Sequence, residues 1–190
     1  MIYDIHLHVF IIVYVIIVGL ILLICMLKKN SKTLFVWRSI FTLYILLLIK
    51  VTIFPFTFEH IPLVNEKSYL AIQLKPFQSI KKLIGQGNYI QIFGNIILMM
   101  PLPVLYEGIK AKEISRIQKL FMVSIASISV EFIQIVINIF TKVRNHVFDV
   151  DDIILNILGG IILIALYRPI NCLTRSVVLY ISGESRFKEN

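Results

Sequence analysis

The chain has 190 residues, of which 58% are apolar and only 16% are charged. Ordinary soluble domains are about 45–50% apolar, and a small domain has too much surface for its volume to hide such an excess. The composition therefore excludes a soluble enzyme, a soluble nucleic-acid-binding domain and a disordered chain, and it indicates an integral membrane protein. The net charge of +8 is then an orientation signal rather than a nucleic-acid site.

Five apolar segments are long enough to cross a bilayer, which takes about 20 largely apolar residues. They predict an all-α integral membrane protein, a bundle of about five transmembrane helices. The segments are 7–27, 36–58, 90–106, 120–140 and a fifth from about Asp152 to Pro169. The charges of the first segment follow its apolar run instead of preceding it, which predicts an uncleaved helix rather than a signal peptide. The two cysteines, Cys25 and Cys172, have no metal or redox spacing and are predicted to be packing residues.

Two local features qualify this plan. Pro101 and Pro103 lie inside the third segment and predict a kink or partial unwinding there. The 59–89 connection mixes apolar residues with lysines and predicts a short interfacial helix. The predicted divisions are an N-terminal transmembrane helix with its cytoplasmic connection (1–35), a helical membrane domain (36–170) and a short cytoplasmic tail (171–190).

The distribution of Lys and Arg predicts the orientation of the bundle. Of the nineteen, twelve lie in the 28–38 and 107–119 connections and the C-terminal part, six lie on the other side, and Lys50 lies within a span. Because positive residues are enriched on the cytoplasmic side, we expect the N-terminus outside and the C-terminus inside.

Polar residues within the spans concentrate toward the predicted outer side. Gln134 and Asn138 follow Glu131 by three and seven residues, which places all three on one face of the fourth helix. A charge at the bilayer centre costs about 2.5–3.5 kcal/mol or more unless it faces a partner or a cavity. The sequence therefore predicts one outward-facing polar pocket. Its predicted ligand-binding residues are Lys50, Gln91, Asn95, Glu131, Gln134, Arg144, Asp149, Asp152 and Asn156.

The same polar residues also have purely structural explanations. Glu131 alone is equally compatible with joining helices through hydrogen bonds, and Lys50 with extending toward the interface or pairing with Glu131. The aspartates Asp149, Asp151 and Asp152 suit the positive end of the fifth helix or, as an alternative, a Mg²⁺ ion. Arg144 is the expected bidentate partner of one of them. No nucleophile or metal motif is present, so no cofactor and no catalytic residue are assigned; if the protein is an enzyme, Glu131 is the expected acid or base.

The fourth and fifth spans resemble the VanZ-like family of small bacterial membrane proteins. The resemblance covers about 36–168 and is carried by Glu131-x-x-Gln134, Arg144, the stretch from Phe148 to Asn156, Gly159-Gly160, and Gln91-x-x-x-Asn95 with Pro101. The chain departs from the family where Gln73-Leu74-Lys75 replaces an Asn ahead of Pro76-Phe77.

The resemblance implies a protein of the bacterial cytoplasmic membrane that binds or modulates a cell-envelope component. The founding member is associated with resistance to teicoplanin, a glycopeptide that binds peptidoglycan precursors outside the cell. The expected partners are membrane lipids and a lipid-linked envelope precursor or headgroup, with no nucleic acid. The alternative is an intramembrane enzyme acting on a lipid-linked phosphate or acyl group through Glu131. A transporter ranks third, because the chain has no internal repeat.

Overall fold

The computed structural model describes the backbone of residues 2–28, 31–57 and 70–182, and the side chains of 4–28, 31–55 and 70–166. The helices are α1 (Leu7–Leu27), α2 (Lys32–Ile53), α3 (Gln78–Gly85), α4 (Tyr89–Leu98), α5 (Pro101–Lys110), α6 (Arg116–Thr141) and α7 (Val150–Ser182). Two-residue strands form two small pairs, β1 (Ile2–Tyr3) with β2 (Phe56–Thr57), antiparallel, and β3 (Ile72–Gln73) with β4 (Phe148–Asp149), parallel.

The predicted all-α membrane architecture is confirmed. Within the described residues, four helical stretches are long and apolar enough to cross a membrane: α1, α2, α4 together with α5, and α6. The fifth predicted span falls in α7, which continues past the expected end near Pro169 to Ser182. Proline fixes a helical φ and removes a single hydrogen bond, so a helix can continue through it. The predicted tail beyond residue 182 lies outside the described residues.

The predicted interruption of the third span is confirmed. Helix α4 ends at Leu98, and α5 begins at Pro101 after a turn at Met99 and Met100. Proline has no N–H to donate and its ring crowds the carbonyl of the residue four positions earlier, which is Ile97. The amide of Leu102 bonds the carbonyl of Met99 at 3.3 Å, which closes the turn.

Local sequence accounts for the ends of several helices. Ser31 caps α2, Asn88 caps α4, and Ser115 forms a reciprocal capping box with Gln118 at the start of α6. Helix α6 ends at Thr141 and is followed by Lys142, which has a left-handed φ of 52°, a conformation that commonly closes a helix.

Helix α7 lies at the centre of the bundle and contacts α2, α3, α4 and α6. Its approach to α4 is very close: a Cβ added at Gly159 would lie 1.8 Å from the carbonyl oxygen of Ile96. Gly160 faces Val123 of α6 more loosely, at 3.3 Å. Both glycines therefore permit the close helix contacts that small residues allow in membranes.

The two ends of the bundle differ in polarity. We call the end that holds α3, the last turns of α2 and α6 and the first turns of α4 and α7 the pocket end. At the opposite end, α5 and α6 are joined by an ion pair between Glu107 and Lys119 at 3.1 Å, whose side chains are 9% and 3% exposed. The amide of Ile114 also donates to Glu107 at 2.7 Å, so this pair holds the 111–115 connection.

Candidate functional site

A pocket of about 670 Å³ opens at the pocket end, between α3, the start of α4, the 142–147 connection and the start of α7. Its lining is polar and contains the cationic side chains of Lys82 and Arg144 and the acidic side chains of Asp149 and Asp152. Nearly half of the lining residues are side-chain amides, each of which offers both donors and acceptors. These are Gln73, Gln78, Gln86, Asn88, Gln91, Gln134 and Asn145.

Helix α3 forms one wall of the pocket, and Asp151 fixes its start. The Asp151 carboxylate is 1% exposed and accepts the amides of Phe77 at 2.5 Å, Ser79 at 2.7 Å and Ile80 at 3.1 Å. The first amides of a helix have no partner within the helix, and a negative charge there is favourable. Asp151 of α7 therefore caps α3 from across the fold.

Strand pairing gives this wall a second attachment. In the parallel pair, Ile72 lies opposite Phe148 and Gln73 opposite Asp149, and the amide of Phe148 donates to the carbonyl of Ala71 at 2.9 Å. The segment before α3 and the segment before α7 are thus held side by side at the pocket end.

Three acidic side chains gather at the floor of the pocket, where Asp149 and Asp152 belong to the lining and Glu131 lies behind them. Glu131 is 2% exposed and accepts the Asp149 amide at 3.0 Å, while the Asp149 carboxylate accepts the Asp151 amide at 2.9 Å. Asp152 accepts the side-chain amide of Asn95, which joins α7 to α4. Glu131 interacts electrostatically with both Asp149 and Asp152, so the three carboxyls form one cluster, the acidic cluster.

One helical turn below the acidic cluster, Asn156 donates to the hydroxyl of Ser127 at 2.8 Å. Ser127 precedes Glu131 by four residues and Asn156 follows Asp152 by four. Helices α6 and α7 therefore each contribute polar side chains from two successive turns to the contact between them. The Asn156 side-chain oxygen is buried and has no hydrogen-bond partner among the described residues.

The other wall is formed by Gln134 of α6 and by residues 144–147, and two of these side chains attach it to the end of α2. The last carbonyls of α2 lack partners within the helix. The Gln134 side-chain amide donates to the Thr52 carbonyl at 2.8 Å, and His146 donates through Nε2 to the Ile53 carbonyl at 3.1 Å. Asn138, 1% exposed, bonds both backbone groups of His146. Burial lowers the pKa of His146 below its ordinary value, although the bond to Ile53 opposes this.

The predicted site residues fall into three groups. Gln91, Gln134, Arg144, Asp149 and Asp152 line the pocket. Glu131 and Asn95 lie behind it, and Asn156 lies one turn deeper, as the contacts above show. Lys50 is not brought to the pocket: its ammonium bonds the carbonyl of Ile5 and pairs with Asp4 at 3.7 Å.

Two further expectations differ from the structure. Within the described residues Arg144 forms no ion pair with an aspartate, because its exposed side chain faces the pocket. The Mg²⁺ alternative through Asp149, Asp151 and Asp152 is not supported, since Asp151 is directed to the amides of α3. No group of three or more His, Cys, Asp or Glu side chains in the described part of the chain is arranged to hold a metal.

Sequence reasoning missed the contribution of α3 and of the residues on either side of it. Gln73, Gln78, Lys82, Gln86 and Asn88 all line the pocket, whereas the lysine-containing stretch was interpreted only as an interfacial helix. The signal was the density of amides between 73 and 91, which headgroup contact alone does not require.

Comparison with known proteins tests the resemblance. No curated protein and no solved structure matches the chain. The model of the VanZ/LLP1 family matches residues 41–174, which is well over half of the chain and includes every residue of the pocket lining. The chain therefore belongs to the VanZ/LLP1 family.

Proposed function

We propose that this membrane protein binds the polar headgroup of a lipid-linked cell-envelope component at the outer face of the bacterial cytoplasmic membrane. The observation that carries the proposal is the pocket of about 670 Å³ with exposed Lys82 and Arg144 and many amides in its lining. Arginine binds phosphate through paired, charge-assisted hydrogen bonds. The amides suit the hydroxyl and carbonyl groups of a sugar or peptide headgroup.

The orientation is part of the proposal, and the excess of Lys and Arg on the opposite side supports a pocket end that faces outside. Single cysteines at Asn145 and at Lys110 test it, in a chain whose Cys25 and Cys172 are replaced by alanine. In intact cells, a membrane-impermeant thiol reagent should label the cysteine at 145 and not the one at 110. The reverse pattern would place the pocket in the cytoplasm and refute envelope binding.

The position of Glu131 favours binding over catalysis. Its side chain is 2% exposed, accepts a backbone amide and does not line the pocket, so a ligand in the pocket meets Asp149 and Asp152 first. A general acid or base must reach the proton that it transfers. This geometry supports a role for Glu131 in holding the pocket floor rather than in transferring a proton.

Lipid that co-purifies with the full-length protein tests the proposal directly. The protein is extracted from membranes in mild detergent, and its retained lipids are quantified by mass spectrometry. Arg144→Gln should lower the retained envelope lipid by about tenfold, because a charge-assisted contact of about 1.4 kcal/mol or more is lost. Arg116→Gln, which removes an exposed arginine at the opposite end, is the matched control. Equal retention in both variants would contradict the proposal.

The teicoplanin association implied by the resemblance follows from the same binding. A protein that occupies or alters an envelope precursor should change how much of the glycopeptide reaches its target. Expression of the protein should raise the inhibitory concentration of teicoplanin, and Arg144→Gln at the same membrane level should abolish the increase. An increase that survives in Arg144→Gln would separate resistance from the pocket.

A further inference from the structure

The pocket lining carries charges of opposite sign that do not neutralise one another. Lys82 of α3 and Arg144 of the 142–147 connection are both exposed and form a cationic side, while Asp149 and Asp152 form an anionic side. Among the described residues, no ion pair within 4.0 Å joins the two sides. Opposite charges on the walls of one pocket that do not meet leave room for a ligand to contact both.

The anionic side lacks a cationic partner within the described structure. Asp149 is 8% exposed and Asp152 is partly buried, and Glu131 adds a third carboxyl behind them. Within the described residues these carboxyls accept hydrogen bonds from neutral groups, namely backbone amides and the Asn95 side chain. Nearby like charges and desolvation both disfavour ionised carboxyls, and a cation at the pocket surface would offset both effects.

A second observation points to the same place. The side-chain oxygen of Asn156 is buried without a partner one turn below this cluster, although buried acceptors in proteins are nearly always hydrogen-bonded. An ammonium group has three donors and no acceptor, so it matches the carboxylates of Asp149 and Asp152; Asn156 does not line the pocket, and a water would connect its oxygen to that group.

Building on headgroup binding, we propose that the pocket selects headgroups that carry both a phosphate and a primary ammonium group. Lys82 and Arg144 hold the phosphate, and Asp149 and Asp152 hold the ammonium. A headgroup with a phosphate alone leaves the aspartates unpaired and places negative charge near them, which lowers its affinity. This inference rests on the proposed function and narrows its ligand class.

Binding of defined probes to the full-length protein in detergent tests the inference. The probes are short-chain phosphatidylethanolamine, with phosphate and ammonium, short-chain phosphatidylglycerol, with phosphate alone, and free phosphoethanolamine, without a lipid anchor. Phosphatidylethanolamine should bind about tenfold more tightly than phosphatidylglycerol, the ratio expected for one ion pair of about 1.4 kcal/mol. Free phosphoethanolamine that binds as tightly as the lipid indicates a soluble ligand, and weaker binding indicates a lipid; both results agree with the paired chemistry.

Substitutions of the two aspartates test whether the ammonium group binds at the anionic side of the pocket. Asp152→Asn should remove the preference by weakening phosphatidylethanolamine binding about tenfold, and a thermal unfolding curve like that of the parent protein shows that the variant is folded. Asp149→Asn repeats the test on the neighbouring side chain. Asp4→Asn, at the same end but outside the pocket lining, should keep the full preference.

The outcomes separate this inference from the function on which it rests. Equal affinity for the two lipids, weakened for both by Arg144→Gln, overturns the ammonium site and leaves headgroup binding standing. A preference that persists in both aspartate variants also overturns it. Absence of binding by every probe, together with co-purified lipid that is insensitive to Arg144→Gln, refutes the proposed function itself.

Discussion

Removing the carboxylate of Asp151 should release α3 from the pocket end. The perturbation is Asp151→Ala, which deletes the acceptor of three backbone amides, those of Phe77, Ser79 and Ile80. The carboxylate is almost fully buried, and the eight-residue helix α3 is too short to be stable without tertiary contacts.

The magnitude follows from the number and kind of bonds. Loss of an ordinary N-cap costs about 0.5–2 kcal/mol, and hydrogen bonds to a charged group contribute about 1.5–3 kcal/mol each. Three bonds to one carboxylate are not additive, and water can reach some of the released amides, so we expect about 2–4 kcal/mol. At 1.4 kcal/mol for each factor of ten, this is about a 30- to 700-fold increase in local opening.

Hydrogen exchange measured by mass spectrometry reads this opening directly. Amides of 77–80 should exchange faster by that factor, while peptides from α6 serve as the internal control and stay unchanged. Asp151→Asn keeps one acceptor oxygen and should give a smaller increase. Unchanged exchange at 77–80 in a folded Asp151→Ala protein would refute the role of Asp151 as the cap of α3.

Three further predictions concern packing, a helix end and pH. Gly159→Ala should destabilise the protein in thermal unfolding by about 2–3 kcal/mol, because the new Cβ would lie 1.8 Å from the Ile96 carbonyl oxygen; Gly94→Ala meets open space, and an equal loss there would contradict the reasoning. Lys142→Gly should stabilise by up to about 1 kcal/mol in chemical unfolding, since φ is 52°, and a loss would count against it. Burial lowers the pKa of His146 in the folded protein below its ordinary value of 6.5, so the unfolded state binds the proton more tightly. The stability that depends on the neutral imidazole is therefore complete above pH 6.5 and is lost progressively as the pH falls below it. His146→Gln should flatten this part of the pH profile, and an unchanged profile would show that another group is responsible.

The architecture was largely predictable because lipid imposes strict rules on sequence. Apolar runs of sufficient length marked the spans, and Pro101 marked the break between α4 and α5. The grouping of Glu131, Asp149, Asp152 and Asn95 was predictable for a related reason, since each of these side chains is costly to expose to lipid. A shared polar region satisfies all four at once.

The individual roles of the three aspartates were not predictable. Successive residues on a helix point about 100° apart, so Asp151 and Asp152 at the start of α7 face different neighbours. Which of them meets α3 and which meets Asn95 depends on the position of α3, which is set by contacts distant in sequence. The pairing of Lys50 with Asp4 has the same origin, because it requires the residues before α1 to lie beside the end of α2.

The same geometry changes how essential residues of this pocket should be interpreted. Glu131 and Asp151 are the most buried acidic side chains at the pocket end, and both bond backbone amides of the pocket's own framework. Arg144 and Lys82 are exposed and form no ion pair in the described structure, so their charges are available to a ligand. Loss of activity in a Glu131 variant therefore does not by itself indicate catalysis, because the variant also removes a hydrogen bond beneath Asp149. A substitution that changes the preference between two ligands identifies a residue of the ligand site, since damage to the framework should weaken both alike.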